Sequence, residues 1–139
     1  MAKVSKAEPK ILLVEDHPDL VEMYRFVFER RVKAKLFVAG DKASGLMDAK
    51  KVKPDLLLLD IIIPESKTTG FEPIARYGFQ LLEQIRGDKD LKDVKVIVLT
   101  NLESPEDRAR AEELGAIDYI IKAHTLPYEV AALVNKALK

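Results

Sequence analysis

The 139-residue chain contains no cysteine and only two histidines, His17 and His124. Without cysteine the protein has no disulfide bond, no thiol nucleophile and no zinc–thiolate site. Two histidines are too few to predict a histidine-rich metal centre. The length is that of one domain that can bury a substantial hydrophobic core.

The chain also lacks an excess of charge of either sign and any long hydrophobic run. It has 23 Lys plus Arg and 23 Asp plus Glu, so the formal net charge is zero. This balance gives no electrostatic reason to expect a nucleic acid or a membrane as partner. The longest apolar stretch, residues 56–63, is interrupted by Asp60 and is far shorter than the ~18 residues of a membrane span. The N-terminus lacks the apolar core of a secretion signal, so we expect a cytoplasmic protein.

Five short aliphatic runs predict β-strands. They are apolar at consecutive positions, which is typical of parallel strands covered on both faces. The runs are residues 11–14, 36–39, 56–59, 96–99 and 119–121. Amphipathic stretches of helical length lie between them and after the last one. This alternation predicts an α/β fold, a doubly wound five-stranded parallel sheet with helices on both faces.

The start and the end of the fourth helix are marked by residue type. Ser104 is a good capping residue, Pro105 suits the first helical position, and the acids that follow favour the positive end of a helix dipole. Gly115 can adopt the left-handed conformation that ends many helices. We therefore expect a helix that begins after Ser104 and stops at Leu114–Gly115.

One stretch does not fit the alternation. Residues 61–77 separate the third strand from its helix, although such connections usually take about two to six residues. The stretch contains Pro64, Gly70 and Pro73, so we interpret it as an extended loop with a bearing on function. The predicted organisation is a flexible segment at residues 1–9 and one domain at residues 10–139.

Polar side chains follow the predicted strands at the points where those strands end. Glu15 and Asp16 follow the first strand, Asp60 the third, Thr100 ends the fourth, and Lys122 follows the fifth. In an open parallel sheet these ends share one edge, where ligands bind. Crowded carboxylates repel one another, and a hard divalent cation such as Mg2+ relieves the repulsion. Taken singly, each residue is more readily explained as a helix cap, a turn residue or a surface charge. Only the placement of all of them at one edge of the sheet favours a functional site.

With these residues in place, the chain resembles the receiver domains of two-component response regulators, including the single-domain chemotaxis type. The resemblance runs from about Lys10 to Leu138. It implies the flavodoxin-like strand order 2-1-3-4-5 and a phosphoryl group accepted from a histidine kinase. Asp60, followed four residues later by Pro64, matches the phosphoacceptor.

The resemblance also implies roles for the residues around Asp60. Asp16, Asp60 and the backbone carbonyl of Ile62 would bind Mg2+ directly, and Glu15 would act through water. Thr100 matches the hydroxyl that hydrogen-bonds the phosphoryl group, Lys122 the lysine that pairs with it, and Tyr119 the aromatic switch residue. For Tyr119, packing of a strand aromatic on the last helix is an equal alternative.

Four features depart from the family pattern. Asn101 stands where a small residue is usual, and it either contacts the phosphoryl group or narrows access to it. Ile62 replaces a frequent polar residue that positions water, which predicts slow hydrolysis of the phosphoaspartate. Ala123 replaces a frequent proline. If Gly78 is the glycine that opens the third helix, the loop before it carries about ten additional residues, which act as a lid or partner contact or are a tolerated insertion.

The sequence supports three other functions less well. A haloacid-dehalogenase-like phosphatase needs a second aspartate two residues after the nucleophile, where this chain has Ile62. A flavodoxin-like cofactor carrier needs a first loop that favours phosphate, whereas Glu15, Asp16 and Asp19 repel it. A receiver-like adaptor that is never phosphorylated does not need the complete set of acids, hydroxyl and lysine.

We therefore expect a stand-alone response regulator rather than an enzyme. Its expected partners are a sensor histidine kinase or phosphotransfer protein and a downstream protein target, with no direct contact to nucleic acid or membrane. The chain is expected to be a monomer or a weak dimer.

Overall fold

A computed structural model describes residues 7–68 and 75–139 of the chain. Strands and helices alternate through the described residues. The strands are β1 (Lys10–Val14), β2 (Lys35–Ala39), β3 (Leu56–Leu59), β4 (Lys95–Thr100) and β5 (Asp118–Ile121). The helices are α1 (Pro18–Arg31), α2 (Lys42–Val52), α3 (Tyr77–Gly87), α4 (Pro105–Glu113) and α5 (Pro127–Leu138), with a short 3-10 turn at Lys122–His124.

The five strands form one parallel sheet in the order β2-β1-β3-β4-β5. The predicted fold class and strand order are therefore confirmed. In the register of the sheet, Val14 lies beside Leu59 and Leu59 lies beside Val98. The residues that follow β1 and β3 consequently emerge next to each other, and this places the acidic residues of both strands at one edge.

Two apolar layers cover the sheet, one on each face. On one face α1 and α5 pack over alternate strand residues, with Tyr24 and Phe28 of α1 beside Val130 and Val134 of α5. On the other face α2, α3 and α4 contribute a second cluster, which includes Phe79 and Ala111. Consecutive residues of β3 are all buried because their side chains enter the two layers in turn.

The ends of α4 follow the predicted signals. The Asp107 amide donates to the Ser104 hydroxyl, Pro105 occupies the first turn, and Gly115 has φ of 80°. The third helix begins at Tyr77, directly before Gly78. Gly78 permits this start because a Cβ there would lie 2.4 Å from the carbonyl oxygen of Asp60.

The two segments outside the predicted elements are described in part. Of the predicted flexible N-terminus, residues 1–6 lie outside the described residues, and the carbonyl of Pro9 accepts a hydrogen bond from the Lys35 amide at 2.8 Å. Of the extended loop, residues 69–74 lie outside them as well. No helix within the described ranges is both long and apolar enough to cross a membrane.

Candidate functional site

Three carboxylates meet at the carboxyl edge of the central strands. Glu15 and Asp16 follow β1 and Asp60 follows β3, and each offers an oxygen within 4.8 Å of the other two. Glu15 and Asp60 are buried, whereas Asp16 is more open to solvent. The juxtaposition results from strand pairing, since β1 and β3 are neighbours in register.

Lys122 joins two of these carboxylates from the far side of the sheet. Its ammonium donates to Glu15 Oε1 at 2.6 Å and to Asp60 Oδ2 at 2.8 Å, and only 9% of its side chain is exposed. One ammonium against three carboxylates leaves an excess of negative formal charge at a largely buried place. The donor set of oxygens and its charge therefore fit a hard divalent cation such as Mg2+.

The pKa values of the central pair reflect both burial and pairing. Burial raises the pKa of Asp60, and the nearby Lys122 ammonium and Thr100 hydroxyl oppose that effect. For Lys122, burial acts to lower the pKa, but the charges of Asp60 and Glu15 outweigh it, so the pKa is raised. Lys122 thus remains a cation beside Asp60, which favours the ionised, nucleophilic form of that carboxylate.

Thr100 and Ile62 complete the immediate surroundings of Asp60. Thr100 is the last residue of β4, is fully buried, and lies close enough to Asp60 to influence its pKa. The Ile62 amide donates to Asp60 Oδ1 at 3.2 Å, so the chain turns back over the carboxylate directly after β3.

A cavity of about 440 Å³ opens over this group of residues. It is lined by Glu15, Asp16, His17, Leu20, Asp60, Ile62, Thr100, Asn101, Leu102 and Lys122. All of the predicted site residues except Tyr119 are among them. His17 is among the lining residues and directly precedes α1. Its side chain makes no capping hydrogen bond to that helix.

Tyr119 lies behind the cavity on β5. Its ring is buried, its hydroxyl donates to the carbonyl of Leu102 at 2.8 Å, and the guanidinium of Arg108 lies 4.7 Å from the ring centroid. Burial raises the Tyr119 pKa to about 12. The aromatic ring is thus tied to the loop that follows Thr100.

Asn101 and Ala123, two of the positions that depart from the family pattern, are bonded to each other. The Ala123 amide donates to Asn101 Oδ1 at 2.8 Å. Asn101 directly follows Thr100 and Ala123 directly follows Lys122, so the bond connects the two loops beside the cavity.

The extended loop is attached at both ends. The carbonyls of Pro64 and Glu65 accept hydrogen bonds from the Lys42 and Ala43 amides at the start of α2, at 2.9 and 3.0 Å. At the other end the Gly78 amide donates to the carbonyl of Ile61 at 3.0 Å. Of the aromatic residues in the loop, Phe71 lies outside the described residues, and the Tyr77 ring lies 5.5 Å from the Lys42 ammonium.

Sequence reasoning missed the ion pair between Arg76 and Asp107. Arg76 Nε donates to Asp107 Oδ1 at 2.7 Å and Nη2 to Oδ2 at 3.1 Å. The sequence indicates Asp107 only as an acidic residue at a helix start, which it also is. No pattern along the chain identifies this pair, because Arg76 belongs to the irregular loop.

The chain belongs to the response regulator receiver domain family, whose model matches residues 11–134. It is 31% identical to the phosphate regulon transcriptional regulatory protein PhoB of Escherichia coli, with 94% of this chain and 52% of that protein covered. It is 30% identical to the alkaline phosphatase synthesis transcriptional regulatory protein PhoP of Bacillus subtilis, with 94% and 48% covered. The chain therefore spans about half the length of these curated relatives.

Solved structures agree with this assignment. The signal receiver domain of a signal transduction histidine kinase from Syntrophus aciditrophicus superposes with a TM-score of 0.75 at 28% identity, covering 94% of this chain and 89% of that one. A CheY-like response regulator receiver domain protein from Methanospirillum hungatei has a TM-score of 0.78 at 22% identity, with 95% and 94% covered, and supports the fold. The predicted family is confirmed, and a phosphoacceptor role is general for it.

Proposed function

We propose that this receiver domain accepts a phosphoryl group on Asp60 from a phosphohistidine of a sensor kinase or phosphotransfer protein. The observation that carries the proposal is the arrangement of Asp60, a buried carboxylate that is paired with Lys122 and shares its cavity with Thr100. In the transfer, the bond from phosphorus to the histidine nitrogen breaks and a bond from phosphorus to a carboxylate oxygen of Asp60 forms. The product is an acyl phosphate.

Three side chains and one backbone group are proposed to hold Mg2+ beside Asp60. Asp16 and Asp60 would bind it directly together with the carbonyl of Ile62, and Glu15 would act through water. When bound, the ion supplies positive charge that neutralises phosphoryl oxygens. The proposal is supported by the mutual approach of the three carboxylates within 4.8 Å and by their excess negative charge.

Lys122 and Thr100 provide the chain's own contribution to the transfer. Lys122 places a cation 2.8 Å from Asp60 Oδ2, where it compensates charge on the phosphoryl oxygens as they approach. The Thr100 hydroxyl lies close enough to Asp60 to influence its pKa, and from there it can donate to a phosphoryl oxygen. Asn101 lines the same cavity and is a further candidate contact to the phosphoryl group.

The switch is proposed to involve Tyr119 and the helix beside it. The new dianion draws Thr100 and Lys122 towards it, and the loop after Thr100 carries the carbonyl that accepts from the Tyr119 hydroxyl. Movement of this loop would therefore change the surface around Tyr119 and Arg108, which are in contact. Glu112 of α4 and the exposed Tyr128 of α5 extend that surface.

The output of the switch is proposed to be the binding of a protein target. The zero net charge gives no electrostatic reason to propose a nucleic acid or a membrane as the target. The proposal treats the chain as a cytoplasmic regulator that carries the signal by itself, as a monomer or a weak dimer. It assigns the chain no enzymatic activity beyond its own phosphorylation and dephosphorylation.

The test is intact-mass measurement after treatment with acetyl phosphate and Mg2+. The expected result is a gain of one phosphoryl group by the unmodified chain and none by Asp60→Asn, which keeps the size of the side chain. A second control omits Mg2+ and adds a chelator, and the gain should then be lost. Equal labelling of the unmodified chain and Asp60→Asn would exclude Asp60 as the acceptor.

A further inference from the structure

Asn101 forms a cross-loop bond between the two segments that carry Thr100 and Lys122. Its Oδ1 accepts from the Ala123 amide at 2.8 Å, although the two residues are 22 positions apart. Asn101 is exposed and lines the cavity, so the hydrophobic core does not hold its side chain in place. The bond exists because residue 123 is not proline and therefore has an amide hydrogen to donate.

The turn that this bond reaches is weakly closed by its own backbone. Lys122 begins a 3-10 turn that ends at His124, and the closing bond from the Thr125 amide to the Lys122 carbonyl measures 3.4 Å. A bond of that length is at the weak end of hydrogen-bond geometry. The 2.8 Å bond from Asn101 is therefore the stronger of the two restraints on this turn.

We propose that Asn101 is a positioning residue for Lys122, acting through the Ala123 amide. By holding the backbone directly after Lys122, it keeps the ammonium at its short distances from Glu15 and Asp60. The same bond ties the loop after Thr100 to the turn, so the two groups that approach the phosphoryl group are held relative to each other. This inference rests on the proposed function of Asp60.

The positioning role uses the carbonyl oxygen of the Asn101 amide group. The Asn101 carbonyl oxygen is engaged by Ala123, and only its NH2 group remains to face an anion. Removal of Asn101 should therefore act mainly on how fast the phosphoryl group is transferred. A direct contact would instead act mainly on how tightly the donor is held.

The first experiment needs neither phosphoryl donor nor metal. Amide hydrogen exchange at Ala123 is compared in the unmodified chain, Asn101→Ala and Asn135→Ala. Asn135→Ala is a matched control, because the Asn135 side chain also makes a 2.8 Å bond to an exposed backbone group, the carbonyl of Arg31, on α1 rather than at the cavity. Exchange at Ala123 should rise roughly fivefold or more in Asn101→Ala and stay unchanged in the control.

The second experiment follows phosphorylation of Asp60 by acetyl phosphate in saturating Mg2+. Asn101→Ala should lower the maximal rate roughly fivefold, with little change in the half-saturating donor concentration. Asn101→Asp keeps an acceptor for Ala123 and should retain most of the maximal rate, while its added negative charge raises the half-saturating concentration. In a Lys122→Ala background, Asn101→Ala should cause no further loss.

Several results would overturn the inference while leaving the proposed function in place. For Asn101→Ala, these results are an unchanged Ala123 exchange and maximal rate, or a change in the half-saturating donor concentration alone. An equal loss of maximal rate in Asn101→Asp would also overturn it. So would a full further loss of rate when Asn101→Ala is added to Lys122→Ala. If the unmodified chain accepts no phosphoryl group on Asp60, the proposed function fails and the inference fails with it.

Discussion

The bidentate ion pair of Arg76 and Asp107 connects the end of the extended loop to the first turn of α4. Asp107 is largely buried, whereas 38% of the Arg76 side chain is exposed. The Asp107 amide also donates to Ser104, so the pair is built onto the cap of the helix. Arg76 and Asp107 lie close enough to Tyr119 for the charges of the pair to affect the Tyr119 pKa. The loop is thus coupled to the helix that borders the proposed switch.

Asp107→Asn is expected to destabilise the protein by about 1–2 kcal/mol at neutral pH, because it removes the charge that pairs with Arg76. The free energy of unfolding is measured by urea denaturation. Glu83→Gln is the matched control, since Glu83 of α3 pairs with Arg110 of α4 and both side chains are about half exposed. That control should lose less than about 0.5 kcal/mol. Equal losses in the two variants would show that the burial of Asp107 adds nothing.

The contribution of Asp107 is expected to disappear in acid. The hydrogen bond from Arg76 holds the Asp107 pKa below its ordinary value. A carboxyl with a lower pKa in the folded state stabilises the protein above its unfolded pKa, near 4, and the stabilisation is lost as the pH falls through the folded pKa. The difference in unfolding free energy between the unmodified chain and Asp107→Asn should therefore shrink below about pH 4. A difference that is constant down to strongly acid pH contradicts the assignment.

Ile62→Asn is expected to accelerate the loss of phosphate from phosphorylated Asp60. Ile62 lines the cavity two residues after Asp60, and its apolar side chain offers no hydrogen bond to an attacking water. An amide at this position can orient such a water. The measurement is the rate of phosphate release after removal of the donor, with Ile62→Leu as an apolar control that should keep the slow rate. No acceleration in Ile62→Asn would count against this role.

The parallel sheet explains why the centre of the site was predictable. Once aliphatic runs identify β1 and β3 as buried parallel strands, the residues after them must emerge at the same edge, and Glu15, Asp16 and Asp60 do. Lys122 follows β5 at that edge, so a long side chain can reach the carboxylates. Periodicity and strand ends therefore contain most of the information needed to identify this group.

The contacts between loops were not predictable in the same way. Arg76 and Asp107 are 31 positions apart, and Asn101 and Ala123 are 22 apart. Each pair involves irregular backbone, whose path no hydrophobic period determines. The pairing of Lys122 with Glu15 was not predicted for a related reason, because it depends on side-chain reach rather than on strand order.

Because the extended loop is attached at both ends, the architecture of the domain does not depend on the length of the loop. Pro64 and Glu65 are held at the start of α2, and Gly78 is packed against the backbone of Asp60. Closing a longer loop between fixed ends costs little additional entropy. The stretch between Glu65 and Arg76 is therefore a natural place to graft a peptide or reporter next to the acceptor without rebuilding the sheet.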